Sequence, residues 1–250
     1  MINQTTKDKI QDLHRQYLNL SAGNESVLKE ITLAEIPEMV YNSNAIENSS
    51  LTLEDTEKIL SGGSLDRKVN VREVYEAKNL AKLTTSLLEE NSAIFNIKLI
   101  LSLHQTLLTD IDDQIAGRFR VGKEWVRVGS HLGANTWFVP TVLINLQLMH
   151  IGFPPIIIQN KSKHTEYYTL FTQYQSTMKY GGFTHLFALL LQESLHKRIT
   201  ILTAKKVIPL ALWAAQNAIK SNVAANKAKR QTIPAFRLRE KWMIAADFKF

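Results

Sequence analysis

The sequence predicts a mainly α-helical fold carrying one central β-hairpin and a small C-terminal unit of helices and a second hairpin. Three observations predict it. Apolar residues recur at helical spacing through most of the chain. Six prolines and ten glycines in 250 residues are few interruptions. Two short stretches, Phe119–Val128 and Phe236–Ile244, alternate apolar and polar residues with the period of a strand.

At 45% hydrophobic residues the chain can bury one ordinary core with a small appended domain. No run is long and apolar enough to span a bilayer, and the polar start MINQTTKDKI is no signal peptide, so no membrane partner is expected. The absence of cysteine excludes disulfides and thiolate metal sites and suits a cytoplasmic location. The net charge of +7 is uneven: ten basic and two acidic residues lie beyond Thr203, placing +8 there and −1 on the remainder. A neutral body with a basic tail points to a polyanionic partner.

In chain order, Thr5–Leu20 is an amphipathic helix with Ile10, Leu13, Tyr17 and Leu18 on one side. Ser26–Tyr41 has helical spacing, and Pro37 is suited to begin a new helix running through Ser43 to Glu47. Thr52 caps a helix to Leu60, with Glu54 and Asp55 in its first turn and Ser61-Gly62-Gly63-Ser64 at its end. Val69–Asn91 and Phe95–Leu108 are further helices, the second carrying His104 as a structural group. Phe119, Val121, Val126 and Val128 alternate with Arg118, Arg120 and Arg127 around a Gly122-Lys123 turn, predicting a hairpin. Val142–Gly152 is a helix ended by Gly152 and the following Pro154-Pro155. Thr165–Tyr180 carries an aromatic stripe of Tyr167, Tyr168, Phe171 and Tyr174, then Gly181-Gly182 predicts a turn. Phe183–Leu202 is a strongly apolar helix whose basic residues near its end complement the dipole.

The segments GRFR…VRVG (from Gly117 to Gly129) and Val142–Pro155, ending GFPP, resemble the core of the Fic family, whose best-known members transfer AMP from ATP to protein hydroxyls. Upstream, Ser43-Asn44-Ala45-Ile46-Glu47-Asn48 is similar to that family's inhibitory pattern [ST]-x-x-x-E-[GN]. The resemblance runs from about Ile36 to Leu202. It implies a Fic-like helical bundle in which Arg118, Arg120, Val126, Arg127, Val128 and Gly129 form a target-docking flap. It also implies an inhibitory role for Ser43, Glu47 and Asn48, the glutamate pairing with a catalytic arginine. Without the resemblance, the arginines are a solvated strand face, Glu47 a polar helix end, and the tyrosine stripe a core face rather than one side of an adenine pocket.

The family's catalytic signature, H-P-F-x-[DE]-G-N-G-R-x-x-R, does not occur: none of the seven histidines precedes Gly-Asn-Gly-Arg. The implied core is therefore truncated near 140–142, where Pro140-Thr141 joins flap to helix directly. The resemblance assigns four functions to the missing segment: the base histidine, the Mg²⁺-binding acid, the anion hole and the phosphate-neutralising arginines. No catalytic residue, metal site or cofactor is then expected in this chain, whereas intact relatives use ATP and Mg²⁺. Two helices lost from one core would also leave apolar faces on 95–108 and 183–202, favouring homo-oligomers.

Beyond Val207, Ile208–Asn217 reads as a helix, Ala218–Ser221 as a turn and Asn222–Arg230 as a basic helix. Phe236, Leu238, Trp242 and Ile244 alternate with Arg237, Arg239 and Lys241 as a hairpin. The order resembles winged helix-turn-helix units of excisionase type, with Asn226, Lys227, Lys229, Arg230, Arg237 and Arg239 as DNA-binding candidates. A solvated appendage or a dimer contact fits the same residues. The expected organisation is a helical region over 1–35, a Fic-like domain over 36–202 (inhibitory helix 37–48, flap about 117–129) and a basic unit over 207–250. The expected function is that of an inactive relative of protein adenylyltransferases (AMPylases), a pseudoenzyme with a protein target for its flap. The alternative is a DNA-binding transcriptional regulator.

Overall fold

A computed structural model describes residues 2–89, 96–119, 121, 126–128, 131–133 and 141–249. Helices dominate it, with a two-stranded and a three-stranded sheet. The chain divides into two compact units: Met1–Ile31, Gly152–Ile156 and Ser162–Phe250 form one, and Thr32–Ile151 with Ile157–Lys161 the other.

The second unit is built on α2 (Glu25–Ile46), which enters it at Thr32, followed by α3 (Leu53–Leu60), α4 (Val71–Glu89), α5 (Ile97–Leu108) and α6 (Thr141–His150); α1 belongs to the first unit and is Gln4–Ser21. Its core joins Ile36 and Val40 of α2, Ile59 of α3, Ala77, Leu80, Leu83 and Leu87 of α4, Leu103 of α5, and Val142 and Leu146 of α6. These are the apolar stripes that helical spacing places on one face of each element.

Pro37 does not begin a helix; it lies inside the continuous α2. A proline removes one internal hydrogen bond, about 3 kcal/mol in an exposed helix. Here the flanking Ile36, Met39 and Val40 are all buried, so packing holds the helix through it. The capping box of α3 is as the sequence predicts: Asp55 N–H donates to Thr52 Oγ1 at 3.1 Å and Thr52 N–H to Asp55 Oδ2 at 2.9 Å. His104 Nδ1 accepts from Gly117 N–H at 3.1 Å, the structural part its position suggested.

Part of the expected hairpin, Arg120 and the Gly122-Lys123 turn, lies outside the described residues. β1 (Val126–Val128) is antiparallel to β2 (His131–Gly133), with Val128 opposite His131. Phe119 and Val121 are not in a strand.

In the first unit, α1 packs along α8 (Gly181–Thr203). Gly181 and Gly182 open α8 rather than forming a separate turn. A Cβ on Gly182 would lie 2.5 Å from Leu170 Cδ2, so a larger residue there would push the tip of that side chain on α7 (Tyr168–Thr177) aside. The predicted aromatic helix is split: a 3₁₀ turn (Asn160–Ser162) and a π turn (Lys163–Tyr167) precede α7. Tyr167 alone of the stripe is buried, its ring edge-on to Phe171 at 5.1 Å. The apolar face expected to lie open on α8 is buried from Ala188 to Thr200 in large part, Leu195 completely. Arg198 is buried too, donating to Ser194 Oγ at 2.9 Å, and not placed in the last turn to meet the dipole.

The C-terminal segment completes this unit. β3 (Val207–Pro209), α9 (Leu210–Gln216), α10 (Ser221–Lys229), β4 (Phe236–Leu238) and β5 (Lys241–Ala245) follow in order. The sheet order is β3-β5-β4, all antiparallel, so β3 adds a strand the sequence pattern did not reveal. Trp213, Ala214, Ala224, Ala228, Ile233 and Ile244 form its core.

Candidate functional site

The motif at the end of α2 is shaped by its backbone. The last helical residue is Ile46, and Asn48 takes a left-handed φ of 71°. Ser49 N–H donates to Asn44 O at 3.0 Å and Asn48 N–H to Ala45 O at 3.1 Å, which is a Schellman end. Glycine and asparagine are the residues that adopt this conformation at least cost, which accounts physically for a [GN] position after the glutamate. The same arrangement ends α3 at Gly62, α9 at Ala218 and α10 at Gln231.

Glu47 sits one residue beyond the helix, not within it as the sequence pattern suggested. By area the residue is exposed, yet its carboxyl is crowded by neighbouring atoms. Loss of hydration pushes the carboxyl up to about 7; the charge of Glu76 adds to the rise and Arg72 opposes it. Arg72 and Glu76 are themselves paired on α4, Nε to Oε1 at 2.8 Å. Sequence reading passed over this pair, although its i,i+4 spacing on the polar face of α4 was visible. Nearby, Arg67 holds Asp55 at 2.6 Å; that hydrogen bond, with the Thr52 N–H, keeps the Asp55 carboxyl down at about 2.

Of the flap candidates, Arg118 turns back on the chain: its Nε donates to Gln114 O at 2.8 Å and its Nη1 to Phe119 O at 3.1 Å. Val126, Arg127 and Val128 are β1. Arg120 and Gly129 lie outside the described residues, as does the Pro140 side of the junction with α6. Among the described residues no group of three or more His, Asp or Glu could hold a metal ion, and no helix is long and apolar enough to cross a membrane.

In the C-terminal unit, α9 and α10 are joined by four residues, Asn217 to Lys220. Ala224 and Ala228 bury one face of α10, leaving Asn222, Val223, Asn226, Lys229 and Arg230 exposed on the other; Lys227 is half-buried. Arg239 stands at the β4–β5 turn with a φ of 56°. Arg237 is engaged elsewhere: it forms a bidentate pair with Glu193 of α8 and lies 4.8 Å over the Trp242 ring.

No protein-family model matches the sequence, and no curated protein matches it. Solved structures do. Residues 134–508 of Fic-1 from C. elegans match at a TM-score of 0.63 and 20% identity, over 78% of this chain and 71% of that one. A Fic domain containing signaling protein from Bacteroides thetaiotaomicron matches at 0.62 and 16%, over 77% of this chain and 96% of that one. A second Fic-1 structure, of a point variant, matches at 0.56 and 19%, over 80% and 72%. The chain therefore has the fold of a Fic domain protein.

Proposed function

We propose that this chain is a non-catalytic relative of the Fic adenylyltransferases that acts by binding rather than by AMP transfer. The observation that carries the reading is the sequence between Val128 and Val142. It passes from flap to helix with no His-Pro-Phe and no Gly-Asn-Gly-Arg. A phosphoryl-transfer site needs a base, a metal-holding acid and phosphate-binding amides together, and losing the set removes the chemistry at once. The setting of Glu47 supports the same reading. Its neighbours are Glu76 and Arg72 from α4, and its raised pKa is that of a carboxylate without a strong cationic partner. The flap would supply a strand edge to an extended segment of a target protein. The test is transfer from α-phosphate-labelled ATP to lysate proteins by the parent chain and by Glu47→Gly. No label in either is expected; label that rises in Glu47→Gly would overturn the reading.

A second reading concerns the C-terminal unit alone. Its helix, four-residue connection, basic helix and hairpin form the order of a winged helix-turn-helix, and the exposed side of α10 carries Asn226, Lys229 and Arg230. This favours duplex DNA as the partner of the +8 tail. Gel-shift assays should give salt-sensitive binding that weakens when Lys227, Lys229 and Arg230 are changed to Ala. Absence of binding by the parent chain at low salt would remove this reading.

A further inference from the structure

Resting on the DNA-binding reading, we infer that α10 reads base sequence, with Asn226 selecting an adenine in the major groove and Val223 packing against a thymine methyl. The outward face of α10 is not merely cationic. The exposed cations Lys220 and Arg230 cap its two ends and Lys229 lies in the last turn, while the exposed positions between them on this face include Asn222, Val223 and Asn226. A face built only for charge has no use for an exposed valine, 41% accessible, one turn before an exposed amide. Val223 and Asn226 are three residues apart and share that face. An asparagine amide matches adenine alone among the bases: its Oδ1 accepts from N6–H while its Nδ2 donates to N7. The thymine methyl is the only apolar group on the major-groove edge, and a small aliphatic side chain is its partner.

Asn222 is a weaker reader. Its Oδ1 already accepts from Val223 N–H at 2.9 Å, which leaves the amide as a donor without the paired acceptor that adenine requires. Arg239 would meet the backbone instead. It stands at the β4–β5 turn with a left-handed φ of 56°, a conformation a glycine also adopts. The partner is B-form duplex DNA rather than RNA, because the narrow major groove of A-form RNA does not admit a helix.

The experiment uses the full chain with a pool of random DNA duplexes, sequencing of the bound fraction, then anisotropy titration of the enriched duplex in low salt. Enrichment of an A·T pair at one or two positions is expected. Asn226→Ala should lose about tenfold of the preference for that duplex over a scrambled one while affinity for the scrambled duplex stays within twofold. Asn222→Ala should lose less, and Arg239→Gly should weaken both duplexes equally. Binding without any A·T enrichment, an unchanged preference in Asn226→Ala, or tighter binding to duplex RNA would each overturn the inference and leave nucleic-acid binding standing. No binding to any duplex would overturn the DNA reading itself, and this inference with it.

Discussion

Glu193 of α8 accepts three hydrogen bonds from Arg237 of β4: from Nη2 at 2.6 Å, from Nε at 2.8 Å and from the backbone N–H at 3.0 Å. Both side chains are mostly buried, 14% and 23% accessible, so removing one partner strands a desolvated charge. Glu193→Ala should lower stability by about 2–3 kcal/mol, and Arg237→Ala by a similar amount. In urea titrations the double variant should cost clearly less than the sum of the two. Additive losses would show that the pair is not coupled.

His196 should make the protein acid-sensitive. Its Nδ1 lies 2.7 Å from Gln231 Oε1, and the Gln231 Nε2 donates to Ala228 O and Ala235 O, so Oε1 is the acceptor and Nδ1 carries the proton. Burial lowers the pKa to about 4, Gln231 opposing and the Lys9 charge adding to the fall. Above pH 6.5 the imidazole is neutral in both folded and unfolded chains. As pH falls from 6.5 through 4 the unfolded chain takes up a proton that the folded chain refuses. Stability should drop across that window by about 1–3 kcal/mol. His196→Gln should flatten this part of the profile in urea midpoints measured from pH 7 to 4.

Glu47 has the opposite sign. Its folded pKa, about 7, is raised above the ordinary 4.5, so its contribution is complete below pH 4.5 and is lost as pH rises through 7. Glu47→Gln should therefore raise the urea midpoint at pH 8 and change it little at pH 4. Equal effects at the two values would mean that the carboxyl titrates normally.

The left-handed helix ends make two predictions of opposite direction. Ala218 holds a φ of 54° at the end of α9, where glycine is preferred, so Ala218→Gly should stabilise by about 1 kcal/mol. Asn48→Ala should destabilise by about 1 kcal/mol, and Asn48→Gly should not. Thermal melting points of the three variants decide the matter.

Much of this fold was legible because spacing and capping act locally. α1, α6 and the Thr52 cap fall where periodicity and side-chain chemistry put them. What sequence missed depended on distant partners. Pro37 is tolerated because buried neighbours hold α2 through it, and Gly181-Gly182 open α8 with the tip of Leu170 close by. Three residues are too short a run for periodicity to register, and β3 is recognised only by its pairing with β5. At the candidate site the i,i+4 spacing of Arg72 and Glu76 lies in the sequence, whereas their placement beside Glu47 and the capture of Arg237 by Glu193 are tertiary contacts. Arg237 shows the difference most plainly: a basic residue on an alternating strand looks available to phosphate until its carboxylate partner is found more than 40 residues earlier.

The packing of α1 along α8 also has a consequence in time. The residues of α1 are synthesised well before α8, the helix they pack along, which ends at Thr203. At roughly 5–20 residues per second, α1 leaves the ribosome on the order of 10 seconds or more before α8 is complete. The second unit, continuous from Thr32 to Ile151 apart from one short return, has its core in hand well before then. During synthesis α1 would therefore wait as an amphipathic helix without its partner after the core of the second unit is complete, a stage at which a chaperone has an obvious substrate and a premature stop leaves an apolar stripe uncovered.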